Sequence, residues 1–111
     1  MNKRYLEIKK LIQENRPDVE IAEAMSNYHE NDIAELLENL SQPERKRIYH
    51  VLGLAKTANV FPYFDDPQQY IEEISVEDAA AIISLMDSDD AVDILEQLDP
   101  ETKTRIVEKL R

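Results

Sequence analysis

Short apolar stripes at helical spacing constrain this chain more than any other feature of its sequence. Apolar residues recur three and four positions apart, as in an amphipathic helix, and no stretch alternates as a half-buried strand would. Start and stop motifs separate the stripes. Ser41-Gln42-Pro43-Glu44 combines a capping serine with a first-turn proline, and Gly53 is a natural helix C-terminus. The pattern predicts an all-α fold of about nine short helices.

The predicted helices cover nearly the whole chain. In the second, which Pro17 opens, we expect Val19, Ile21, Ala22 and Met25 to face inward, and Pro62 should close the fifth. The predicted bounds are Asn2–Glu14, Pro17–Asn27, Glu30–Leu40, Ser41–Gly53, Leu54–Phe61, Asp66–Ile74, Ser75–Met86, Asp87–Leu98 and Asp99 to the chain end.

Part of this pattern repeats within the chain. When Asn31–Leu52 is laid over Asp89–Leu110, a shift of 58 residues, seven of 22 positions are identical without a gap. Short helices that recur as pairs are typical of an α-solenoid, in which each pair buries its stripe against the next. A plain helical bundle is the structural alternative.

Charge is concentrated in one part of the chain. The 111 residues carry 13 basic and 24 acidic side chains, a net charge of −11, and Thr57–Thr102 contains 13 Asp and Glu residues but no Lys, Arg or His. Such a surface repels nucleic acid and anionic membranes and attracts cations or a basic partner. The length fits one domain, and no apolar run is long enough to span a bilayer, so we expect a soluble chain.

The stretch Asp87–Leu98 contains the candidate metal ligands. Asp89 and Asp93 are four residues apart, so a helix places both carboxylates on one face, where a divalent cation could be held. The alternative is that these acids only complement the helix N-terminus. A calcium-binding loop is excluded because Val92 occupies its required glycine position and Leu98 its twelfth position.

An enzyme is not expected from this sequence. The chain has no Cys, no glycine-rich phosphate loop, and no readable pairing of a nucleophile with His29 or His50.

Three segments together resemble a known family. His29–Leu40, Asp89–Leu98 and the restart Asp99-Pro100-Glu101 are similar in order and spacing to the cytoplasmic N-terminal domain of MgtE-type magnesium transporters. The resemblance implies that residues 1–111 form one such domain, a right-handed superhelix of short helices in repeated pairs. In that family, CBS domains, a connecting helix and a transmembrane pore follow, and none of them is in this sequence.

The resemblance also implies a function and a set of site residues. It implies a cytoplasmic, Mg²⁺-sensing regulatory domain whose acidic face shares weakly bound Mg²⁺ with the CBS domains and connecting helix, which favours the closed pore of a homodimeric membrane protein. By position, Asp89 and Asp93 match the metal-facing carboxylates and Asp90 lies beside them. Asn59 replaces an acid found in a relative, and its amide adds no charge.

A different class of function stays open at this stage. Helical repeats often act as protein-interaction modules, and the flagellar motor switch protein FliG has a His-x-x-Asp-Ile-Ala opening similar to His29–Ala34. A module of that kind should not respond to Mg²⁺.

Overall fold

The computed structural model describes residues 2–110, and every regular element in this range is helical. The all-α prediction is therefore confirmed, while the superhelical arrangement stays a prediction. Arg111, the last residue of the predicted ninth helix, lies outside the described residues. The helices are α1 (Lys3–Gln13), α2 (Asp18–Ala24), α3 (Glu30–Glu38), α4 (Gln42–Val60), α5 (Pro67–Ile71), α6 (Val76–Leu85), α7 (Ser88–Gln97) and α8 (Pro100–Leu110).

Gly53 interrupts the longest helix. Its backbone has φ 77° and ψ 171°, so α4 contains two helical segments, which correspond to the predicted fourth and fifth helices. The division of the chain into two compact units also falls at this residue: the first unit ends at Gly53 and the second begins at Leu54. The α-helix ends at Val60, one residue before the predicted end of the fifth helix, and Pro62 lies within a 3₁₀ turn, Phe61–Tyr63, that follows α4.

In the first unit, α1 packs against α2, and the side chain of Arg47 joins the connection between these two helices to α4. Asn2 caps α1 by accepting a hydrogen bond from the backbone N–H of Arg4. Arg47, on α4, donates to Asp18 Oδ1 at 2.8 Å, to Asn15 Oδ1 at 3.0 Å and to the carbonyl oxygen of Arg16. The α1–α2 loop is thereby held to α4. The buried apolar residues of this unit are Tyr5, Ile8, Ile21, Met25, Ile33, Ala34, Leu36, Leu37, Leu40 and Ile48.

In the second unit, α6 packs against α8 and α5 packs against α7. Ser75, the first residue of the predicted seventh helix, caps α6, because its side-chain oxygen accepts a hydrogen bond from the backbone N–H of Asp78. The rings of Phe64 and Tyr70 stack at 4.1 Å between centroids, and Phe61 meets Phe64 edge to face. The buried apolar residues of this unit are Ala58, Val60, Phe61, Phe64, Tyr70, Ile71, Ala79, Ala80, Ile82, Ile83, Ile94, Leu98 and Ile106.

The 58-residue repeat is visible in the helix boundaries. The shift carries the start of α3 onto Ser88, the start of α7, and the start of α4 onto Pro100, the start of α8. It also carries the start of α2 onto Val76, the start of α6, so the repeat extends one helix further than sequence identity indicates. Paired positions are buried alike, as with Leu36 and Ile94 or Ile48 and Ile106.

None of the helices in residues 2–110 combines the length and the apolar character that a membrane span requires.

Candidate metal-binding helix

Helix α7 has an acidic N-terminal half, as the sequence predicts. Asp87 precedes the helix and makes no capping hydrogen bond through its side chain, although its carbonyl oxygen accepts from Ala91 N at 2.9 Å. Asp89 and Asp90 lie in the first helical turn, where negative charge complements the helix dipole. The positions of Asp89 and Asp90 therefore agree with the alternative, in which these acids only complement the helix N-terminus. Asp87, however, does not cap the helix through its side chain.

The structure places the predicted ligands in three different settings. Asp89 and Asp93 are both exposed, and as residues four apart on one helix their Cβ atoms are separated by about 5–6 Å. Asp90 is half-buried and lies about 100° around the helix from Asp89, so it points away from the pair. Asn59 is exposed on α4, and no hydrogen bond joins its amide to these carboxylates within residues 2–110.

The carboxylates of Asp89, Asp90 and Asp93 have no cationic partner among the described residues. Other acids of the second unit differ: Glu77 lies 3.4 Å from Lys109, and Glu101 pairs with Arg105. Asp89 and Asp93 thus form a pair of exposed carboxylates without a cationic partner in this part of the chain.

The pair is not a complete metal site. Within residues 2–110, no group of three or more His, Cys, Asp or Glu side chains is placed to hold one ion. Two carboxylates fit a hydrated Mg²⁺, which commonly keeps several waters and binds through one or two carboxylates. The two carboxylates alone therefore do not form a closed magnesium site.

Sequence reasoning missed a polar network between α5 and the start of α8. The side chain Nε2 of Gln68, at the start of α5, donates to Glu72 Oε1 at 2.6 Å and to Asp99 Oδ2 at 2.7 Å, while Asp99 N donates to Gln68 Oε1 at 2.9 Å. The backbone N–H of Thr102 donates to Asp99 and holds the pKa of this carboxyl below its ordinary value. The capping role of Asp99 was readable from Asp99-Pro100-Glu101, but its contact with Gln68 was not.

Two comparisons relate the chain to magnesium transport. The family described as MgtE intracellular N domain matches residues 28–111. A crystal structure of the soluble part of a magnesium transporter superposes with a TM-score of 0.89 at 20% sequence identity. The match covers 98% of this chain and 44% of that one, so the chain spans less than half of its structural neighbour and shares its fold. No curated relative matches the sequence.

Proposed function

The chain belongs to the MgtE intracellular N domain family, and from this premise we propose that it is the Mg²⁺-sensing regulatory domain of a magnesium transporter. The observation that carries the proposal is the exposed pair Asp89 and Asp93 on one face of α7, without a cationic partner among the described residues. The proposed location is the cytoplasmic face of the membrane, and the proposed partners are the CBS domains and connecting helix of the same transporter.

The pair contributes two ligands to a site that the partner surface completes. In water, two unit charges about 6 Å apart repel by about 0.7 kcal/mol, which α7 tolerates because both side chains face solvent. When a second acidic surface approaches, this repulsion grows. Mg²⁺ supplies two positive charges between the surfaces, so that the carboxylates hold the domain against its partner only when internal Mg²⁺ is high. Without the ion, Asp89 and Asp93 repel the partner surface and the domain is released, which favours the open pore.

This arrangement gives a defined expectation for the isolated domain. Half of a site should bind Mg²⁺ weakly, because two carboxylates displace few of the waters that the ion holds. An affinity for Mg²⁺ that is high enough for sensing then requires the partner surface. The response to Mg²⁺ therefore depends on the interface between the domain and its partner.

The test is a titration of the domain with MgCl₂ at fixed ionic strength, followed by amide NMR. Saturable shifts of amides from Ser88 to Ile94 are expected, and the Asp89→Asn/Asp93→Asn variant should lose them. Glu72→Gln/Glu101→Gln removes the same number of charges from outside α7 and should leave these shifts unchanged. Shifts that K⁺ reproduces, or that survive in the first variant, would refute the metal site and favour a protein-interaction module.

A further inference from the structure

A cleft of about 290 Å³ lies between α8 and the segment from α5 to α6, within the second unit. Its base is apolar and its rim is charged. Buried apolar side chains at the base are Ile71, Ala79 and Ile106, and exposed carboxylates at the rim belong to Glu72, Asp99 and Glu101. The cleft is separate from the proposed metal ligands on α7, none of which lines it.

The internal repeat relates the residues of this cleft to a set of contacts in the first unit. The 58-residue shift carries Arg47 onto Arg105, and it carries Asp18 onto Val76, which lines the cleft. In the first unit, the Arg47 guanidinium donates to Asp18 Oδ1 at 2.8 Å and to the carbonyl oxygen of Arg16, and the shift carries Arg16 onto Ile74, which also lines the cleft. Arg47 is accordingly only 22% exposed.

The second unit lacks this internal arginine contact. Val76 has no carboxylate to receive a guanidinium, and Arg105 pairs instead with Glu101 on its own helix, where its side chain is 59% exposed. The contact that a guanidinium makes between helices in one repeat is therefore missing from the other, where Arg105 lines the cleft but pairs along its own helix.

The rim of the cleft favours a cation. Its carboxylates outnumber its one cationic side chain, Arg105. Oxygen atoms of Glu72 and Asp99 both lie within hydrogen-bond distance of one nitrogen, Gln68 Nε2, so a neutral amide already holds two anionic groups together. A guanidinium offers five N–H donors in a planar fork and a positive charge, which suits such a rim better than an amide does.

The base of the cleft distinguishes an arginine side chain from a metal ion. Ile71, Ala79 and Ile106 offer no oxygen ligands, whereas the aliphatic part of an arginine is buried favourably against such a surface. A bare divalent ion would leave this base unused.

From the repeat, the shape and the charge, we propose that this cleft binds an arginine side chain presented by a partner protein. Its aliphatic part packs on the apolar base, and its guanidinium binds the carboxylates of Glu72 and Glu101. Because Val76 offers no equivalent of the Asp18 carboxylate, the partner's guanidinium joins Gln68 at Glu72 and Arg105 at Glu101. This inference goes beyond Mg²⁺ sensing and does not depend on it.

The test uses the full 111-residue chain and a small probe, N-acetyl-arginine amide, in an amide NMR titration at fixed ionic strength. The matched control is N-acetyl-citrulline amide, which has nearly the same shape but no charge. Saturable shifts of Ile74, Val76 and Thr102 are expected with the arginine probe and not with citrulline. Glu72→Gln/Glu101→Gln should weaken binding about tenfold, because it removes the charge-assisted hydrogen bonds.

The variant of the metal site is the second control. Asp89→Asn/Asp93→Asn changes the charge by the same amount and should leave the affinity for the arginine probe within about twofold. Equal shifts with citrulline, the absence of shifts with either probe, or equal weakening by both double variants would overturn the proposal. Far-UV circular dichroism checks the fold of each variant, and Glu101→Gln alone, at a 76% exposed side chain, provides a milder substitution. A failed Mg²⁺ titration would leave these results unaffected.

Discussion

Truncation of Arg47 should destabilise the domain far more than truncation of its repeat equivalent, Arg105. Arg47 makes three hydrogen bonds: two to the α1–α2 loop and one to the carboxylate of Asp18, the first residue of α2. Each such bond contributes a net of about 0.5–1.5 kcal/mol, and water reaches part of the site after truncation, so Arg47→Ala should cost about 2 kcal/mol. Arg105 makes one exposed pair with Glu101, one turn earlier on the same helix. Its truncation should cost about 0.5 kcal/mol or less.

Urea unfolding followed by circular dichroism measures both losses, and a thermal melt should show a fall of about 8 °C for Arg47→Ala. Asp18→Ala and the double variant complete a mutant cycle in which the ion pair appears as coupling between the two positions. If Arg47→Ala and Arg105→Ala cost the same, the two repeats do not differ in the way that the cleft proposal requires. If the cycle shows no coupling, the ion pair with Asp18 does not stabilise the domain, and Arg47 contributes to stability through its other contacts.

Two further outcomes follow from the backbone of Gly53 and the carboxyl of Asp99. Gly53→Ala should cost about 1–3 kcal/mol in urea unfolding, because nothing within 4 Å opposes the new Cβ and the whole cost is the strain of a positive φ. A loss below about 0.5 kcal/mol would contradict this account. Because the folded pKa of Asp99 is lowered, its contribution is present above the unfolded pKa of about 4 and is lost as the pH falls through the folded value. Asp99→Asn keeps a capping oxygen and should make stability fall less steeply below about pH 4, whereas an unchanged slope would contradict the assignment.

The helices were predictable because their determinants are local. Ser41, Ser75 and Asp99 act at the helix starts where their motifs place them, and Gly53 interrupts the helix at its own position. The second helix shows where counting apolar residues fails. Val19 was predicted to face inward but is 64% exposed, because it lies about 200° around the helix from the buried Ile21. Ala22, also predicted to face inward, is exposed as well, because the short α2 buries Ile21 and the chain next buries Met25, directly after the helix.

In the candidate site too, only the local geometry was predictable from the sequence. Asp89 and Asp93 share a face because four residues make about one turn of a single helix, which sequence spacing gives directly. The contacts of Gln68 with Asp99 and of Arg47 with Asp18 join residues about thirty positions apart, and no local pattern specifies such pairs. The cleft follows from these longer contacts, so it could be recognised only when the two repeats were compared in space.

The absence of basic side chains from α5, α6 and α7 determines which chemical probes can monitor the second unit. Trypsin has no cleavage site between Lys56 and Lys103, so Thr57–Lys103 leaves a digest as one peptide whether or not these helices have opened. Amine-reactive cross-linkers find no target there for the same reason. Carbodiimide labelling of carboxyl groups, or a glutamate-specific protease, would instead report opening and partner protection helix by helix along this segment.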